Sequence, residues 1–143
     1  MSDGVGSETR AAACSCGAVS VEVRGAPAFQ AVCSCRDCQS RTGSAFGTSA
    51  YFEAAQVLAR RGEPTVYRRM SSKGRWLDFR FCPTCGVSVW WEAEFLPGKV
   101  GVAATLFGDD AFRPDGAYFC ASKPDWVSFD AAIPFGLGPT TGS

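Results

Sequence analysis

The sequence predicts a single all-β domain of short antiparallel strands. Three observations carry this. Apolar and polar residues alternate with a period of two along much of the chain, Gly- and Pro-containing turn signals interrupt that alternation often, and no segment has the apolar spacing of a long amphipathic helix. A chain of 143 residues is long enough for one domain with a real core.

Taken in order, residues 1–11 are small and polar and are expected to be a flexible tail, with the domain over 12–136 and a second flexible tail at 137–143. Val19, Val21 and Val23 alternate with Ser20, Glu22 and Arg24, which predicts a half-buried strand. Gly25-Ala26-Pro27 ends it, and 28–32 forms a second strand leading into a cysteine-rich loop. One helical turn is expected near 37–40, closed by Gly43. Residues 44–52 read as extended and 53–56 as a turn or short helix. Strands follow at 57–61 and 65–70, separated by Gly62-Glu63-Pro64. After the turn at 71–74, Leu77, Phe79 and Phe81 alternate with Trp76, Asp78 and Arg80. Val87, Val89 and Trp91 continue the alternation beyond a C-P-T-C-G turn. Further strands are expected at 99–106 and 117–122, with an aromatic closing segment at 126–135.

Net charge is zero and 20% of residues are charged, so no whole-molecule field draws the chain to nucleic acid or to a membrane surface. No apolar run reaches membrane-spanning length, and the first ten residues lack a signal peptide's basic start and apolar centre. A cytoplasmic location is the expectation.

Eight cysteines decide the chemistry. Seven fall into a two, three, two pattern: Cys14 and Cys16; Cys33, Cys35 and Cys38; Cys82 and Cys85. Such tight C-x-C, C-x-C-x-x-C and C-x-x-C spacings suit a metal ion better than a framework of inter-loop disulfides. In Cys82-Pro83-Thr84-Cys85-Gly86 two thiolates can grip one tetrahedral zinc from a tight turn. Pairing them with Cys14 and Cys16 completes four ligands, a closed and therefore structural site. Cys33, Cys35 and Cys38 then remain as three ligands with a vacant fourth position, the arrangement of a catalytic zinc. Two other readings stand beside this one: a second closed site completed by Cys120 or an acidic residue, and a single structural zinc with idle thiols. The spacing matches no common iron–sulfur signature. Cys120, within 117–121, reads as a small buried hydrophobe.

The chain has no histidine, which excludes histidine triads, histidine bases and mixed Cys/His fingers. Proton transfer would fall to metal-bound water, to thiolate or to a carboxylate such as Asp37, Glu92 or Glu94, each of which is more often an ordinary surface charge. Arg60, Arg61, Arg68, Arg69, Lys73 and Arg75 read first as a solvated strand face and second as a carboxylate-binding rim or a nucleic-acid contact. Trp90, Trp91 and Trp126 read as core.

Four motifs together resemble one family: C-S-C-G-A-V from Cys14, C-S-C-R-D-C with T-G-S-A-F up to Phe46, F-C-P-T-C-G from Phe81, and K-P-D-W from Lys123. They are similar to the glutathione-dependent formaldehyde-activating enzymes, a group that includes centromere protein V, over roughly residues 12 to 135. The resemblance implies a two-sheet antiparallel β-tent. It implies two zinc ions, a structural one on Cys14, Cys16, Cys82 and Cys85 and a catalytic one on Cys33, Cys35 and Cys38. It further implies carbon–sulfur lyase chemistry: condensation of glutathione, a small thiol, with formaldehyde to S-hydroxymethylglutathione. The family often has histidine where this chain has Ser15, Ser34 and Ala117. A non-catalytic zinc-stabilised protein-binding module, and a zinc lyase with a non-glutathione substrate, are the alternatives.

Overall fold

The computed structural model describes residues 8–135. Ten strands and one short helix follow in order: β1 (Thr9–Ala13), β2 (Ser20–Arg24), β3 (Phe29–Cys33), α1 (Arg36–Thr42), β4 (Gly47–Glu53), β5 (Val57–Arg61), β6 (Thr65–Met70), β7 (Trp76–Phe81), β8 (Ser88–Ala93), β9 (Lys99–Ala103) and β10 (Gly116–Tyr118). They form a three-stranded sheet, β1-β2-β5, and a seven-stranded sheet, β10-β3-β4-β9-β8-β7-β6. The mostly-β, two-sheet, single-domain expectation is therefore met.

The structure differs from the expectation at several points. The domain starts earlier than residue 12, because Thr9–Ala13 pairs along its whole length with β2. The rest of the predicted tails, 1–7 and 137–143, lies outside the described residues. Pairing is antiparallel except at one edge, where β10 runs parallel to β3. The strand expected at 99–106 stops at Ala103, and residues Ala104–Phe107 wind into a 3-10 turn closed by left-handed Gly108. The strand expected at 117–122 stops at Tyr118, since Phe119 adopts a left-handed backbone at φ 57°. Cys120 thus opens a 3-10 turn, half-buried rather than sealed in a strand. Trp126 is 80% exposed, so it is not core.

The main core lies between the sheets. Val21 and Val23 of β2 meet Ala50 and Phe52 of β4, Val100 and Val102 of β9, and Val89 and Trp90 of β8. Each fully buried Val or Phe contributes about 1.5–3 kcal/mol relative to exposure. The large sheet also buries apolar residues on its opposite face, where Leu77, Phe79, Trp91 and Ala93 cluster with Tyr51. A β-bulge sets this division. The β7–β8 register steps from Arg80↔Trp90 to Phe81↔Ser88, which leaves Val89 as an extra residue. Val89 and Trp90 therefore share the inter-sheet face, and Trp91 turns to the other side.

Trp91 is seated against bare backbone. A Cβ on Gly101 of the neighbouring strand would stand 2.3 Å from the Trp91 indole nitrogen. Gly101→Ala is expected to lower stability by about 1–3 kcal/mol in urea unfolding. A loss under ~0.5 kcal/mol, the size of an ordinary surface change, would show that the ring shifts freely.

Candidate metal centres and active site

The first cluster joins the two sheets. Cys14 and Cys16 lie in the β1–β2 turn of the small sheet, and Cys82 and Cys85 in the β7–β8 turn of the large one. The turns share one construction. Cys14 N–H donates to Val19 C=O and Gly17 N–H returns to Cys14 C=O; Cys82 N–H donates to Val87 C=O and Gly86 N–H returns to Cys82 C=O. Gly17 and Gly86 both take φ of 81°, a conformation costly for residues with a Cβ. The four sulfurs lie within 4.8 Å of one another. Cys14 and Cys16 Sγ are 3.8 Å apart, and Cys16 and Cys82 Sγ 3.6 Å. Four sulfurs at about 2.3 Å from a tetrahedral ion stand roughly 3.8 Å from each other, so the donor set fits a metal–thiolate centre. Backbone N–H groups also point at sulfur, from Val19 to Cys14 at 3.3 Å and from Thr84 to Cys82 at 3.4 Å. The Val87 N–H above all holds the Cys85 thiol down at about 6, so that it is a thiolate at neutral pH.

The second cluster is assembled where β3 passes into α1. Cys33 ends β3, Cys35 caps the helix, and Cys38 lies in its first turn. The Cys38 N–H donates to Cys35 Sγ at 3.3 Å, and left-handed Gly43 closes the helix through a bond to Gln39 C=O. Gln39 secures the loop from below: its amide donates to the carbonyls of Ser34, Ala45 and Ser122. The three sulfurs lie within 4.8 Å of one another, and no fourth Cys, Asp or Glu among the described residues joins them. Cys120, the candidate fourth ligand, stays outside. Among the bare thiols one negative charge is shared: hydrogen bonds from Cys33 and then Cys38 pull Cys35 far below the usual thiol range, while Cys33 is pushed far up chiefly by its bond to Cys35. These donors fit a metal as the first set does, but with a position to spare.

The cluster borders a pocket. Cys33 and Cys38 line a cavity of about 280 Å³ on the outer face of the large sheet, while Cys35 is sealed behind them. Its walls are aromatic. Phe29 stacks on Tyr51 at 4.6 Å, Tyr51 meets Trp91 edge-on at 6.4 Å, and Phe79 leans on Trp91 at 5.4 Å. The Trp91 indole N–H donates to Tyr51 Oη at 3.2 Å. Burial raises the Tyr51 pKa, so the phenol keeps its proton and can donate it.

Two guanidiniums complete the site. Arg69 lies over Phe79 and pairs with Asp37 at 2.8 Å, only 14% exposed, so it belongs to the pocket rather than to a solvated strand face. Arg41, from the last turn of α1, lies over both Trp91, at 4.7 Å, and Phe79, at 5.1 Å. No carboxylate of the described residues pairs with it. A Cβ on Gly47 would stand 2.8 Å from Arg41 Nη2 and 3.7 Å from Cys38 Sγ, so guanidinium and thiol share the small space above that glycine. The carboxylates considered for proton transfer are engaged elsewhere: Asp37 with Arg69, Glu92 with Arg80, and Glu94 with the Trp76 N–H. None lines the pocket. Arg41 and Tyr51 were not legible as site residues, because a basic residue in a helix's last turn reads as an ordinary end charge and Tyr51 lies on a strand 13 or more positions from the cysteines.

Fold and site define a β-domain with two thiol clusters suited to metal, one closed and one open to a small-molecule pocket. Residues 9–122 match the family described as glutathione-dependent formaldehyde-activating enzyme, and the chain belongs to that family. A crystal structure of a Rhodobacter sphaeroides protein is similar in fold, with a TM-score of 0.55 and 20% sequence identity over 87% of this chain and 98% of that one. No protein of curated function matches the sequence. Among the described residues no helix is long and apolar enough to cross a membrane.

The two clusters are expected to respond differently to loss of a ligand. Cys82→Ser should lower the melting temperature by more than roughly 10 °C, since metal binding at a sheet-joining site is folding energy. Cys35→Ser should stay folded and bind one ion fewer, as counted by native mass spectrometry. Equal melting losses in both variants would contradict the division into a structural and an open site.

Proposed function

We propose that the chain is a zinc-dependent enzyme of carbon–sulfur bond chemistry acting on a small thiol or thiol adduct. The observation that carries this is a three-thiol cluster, without a fourth protein ligand, opening onto an aromatic pocket. The family's name supplies the default pair, glutathione and formaldehyde, condensing to S-hydroxymethylglutathione. Cys14, Cys16, Cys82 and Cys85 hold a structural zinc in this reading, and Cys33, Cys35 and Cys38 a catalytic one. Zinc on three thiolates supplies a soft position that keeps a substrate thiol deprotonated.

The protein groups then divide the work. In the condensation a sulfur–carbon bond forms, the carbonyl π bond opens, and the proton lost by the thiol ends on the former carbonyl oxygen. Nothing is oxidised or reduced. Arg41, at the thiol end and without a carboxylate partner, donates to that oxygen as negative charge develops on it. Tyr51, protonated and oriented by the Trp91 N–H, lines the same pocket as a second donor. The aromatic walls lower the local dielectric, which strengthens both interactions. Unpaired thiols at all eight cysteines accord with a cytoplasmic location.

The test is the rate of thiol–aldehyde condensation over the uncatalysed rate, followed by NMR exchange, with glutathione and with 2-mercaptoethanol against formaldehyde and larger aldehydes. Acceleration by the zinc-loaded protein is expected, abolished in Cys38→Ser and reduced about 10²-fold in Arg41→Ala. If no pair is accelerated, or if Cys38→Ser keeps full activity, the reading fails.

A further inference from the structure

Resting on that reading, we infer that the carbon half of the substrate carries an aryl-sized apolar group seated in the aromatic pocket, so that the preferred electrophile is an aromatic aldehyde rather than formaldehyde. The pocket is more than formaldehyde needs. That molecule has no side chain, and it would leave Phe29, Phe79 and Trp91 lining a space filled with water. Apolar surface facing poorly bonded water is the driving force for binding an apolar group of matching shape.

The same walls offer Arg41 to a glutathione carboxylate but little to the rest of the tripeptide. Its ammonium group would need a carboxylate, and none lines the cavity; Asp37, the nearest acidic residue in sequence to the cysteines, is already held by Arg69. Its two amides would need partners where the lining is chiefly ring faces and aliphatic side chains, and a buried amide without a partner is strongly disfavoured. The volume of about 280 Å³ lies at the lower limit of small-molecule pockets, which begin near 300 Å³. It accommodates one ring and its reacting carbon, whereas a tripeptide would extend out of it past Arg41 and Arg69. The ring faces are already arranged for a further aromatic partner: Phe79 and Trp91 are tilted by 44° and Tyr51 stands edge-on to Trp91, so an inserted ring meets both faces and edges. With the ring against these walls, its carbonyl is directed to the end where Cys33, Cys38 and Arg41 converge.

Two measurements on the full-length, zinc-loaded chain test this separately from the reading it rests on. The first is a titration with benzyl alcohol, a sulfur-free, unreactive probe, followed by NMR of the indole N–H signals and of aromatic side chains. Saturable shifts at Trp91, Tyr51 and Phe79 are expected, with binding at least about tenfold weaker in Ala31→Phe, which puts a ring into the cavity from β3. Zinc content counted in the same variant shows that the clusters remain intact. The second is the acceleration over the uncatalysed rate for benzaldehyde against formaldehyde with 2-mercaptoethanol, expected to favour benzaldehyde by at least about tenfold. Condensation of glutathione with formaldehyde without benzyl alcohol binding at the pocket would overturn the inference and leave the carbon–sulfur reading standing. Benzyl alcohol bound in the pocket with no aldehyde condensed would uphold the aryl pocket and overturn the reaction. Shifts confined to exposed Trp126, or equal acceleration of both aldehydes, would also overturn the inference.

Discussion

The contact on which the rest depends is the meeting of Cys14 and Cys16 with Cys82 and Cys85. It ties the turn of a three-stranded sheet to the turn of a seven-stranded one, at the end of the core where the two sheets would otherwise be free to splay. Small β domains gain much of their stability from such staples, because their cores bury limited apolar surface. The N–H···S bonds in both turns hold the thiols ready before any ion arrives. Cys85 is already inclined toward the thiolate that a metal requires.

From that clamp the consequences run along β8. Cys85 leaves the metal turn, the bulge at Val89 resets the register, and Trp90 and Trp91 emerge on opposite faces. Trp90 closes the core between the sheets. Trp91, pressed on the bare backbone of Gly101, becomes the floor of the pocket on the far side. One strand therefore runs from the four-thiol cluster to the pocket bordered by the three-thiol one.

The pocket places unlike groups close together: two thiols, a protonated phenol and two arginines, set against ring faces. Arg69 is neutralised by Asp37, while Arg41 keeps its charge available beside Cys38. Stacking on aromatic rings fixes a planar guanidinium without consuming its N–H donors, and this leaves them for a substrate oxygen. Gly47 is the small residue that makes room for it.

What the sequence by itself determined were features with short-range causes. Period-two alternation located most of the strands, Gly43 marked the end of the helix, and the cysteine spacings gave both thiol clusters, because ligands for one ion must lie a few residues apart or in two such groups. The start of β1 was not legible, since a small, polar Thr9–Ala13 becomes a strand only by pairing with β2. The parallel edge between β10 and β3 joins residues some 85 positions apart, and no local pattern encodes it. Phe119 ended the last strand through a left-handed backbone that no propensity foretells. Trp126, apolar by composition, lies on the surface, whereas Arg69, polar by composition, lies within the pocket. Only the tertiary structure decided that the open thiol cluster should face aromatic rings contributed by β3, β4, β7 and β8, because that depends on the order of strands in a sheet and on a single bulge, not on the identity of neighbouring residues.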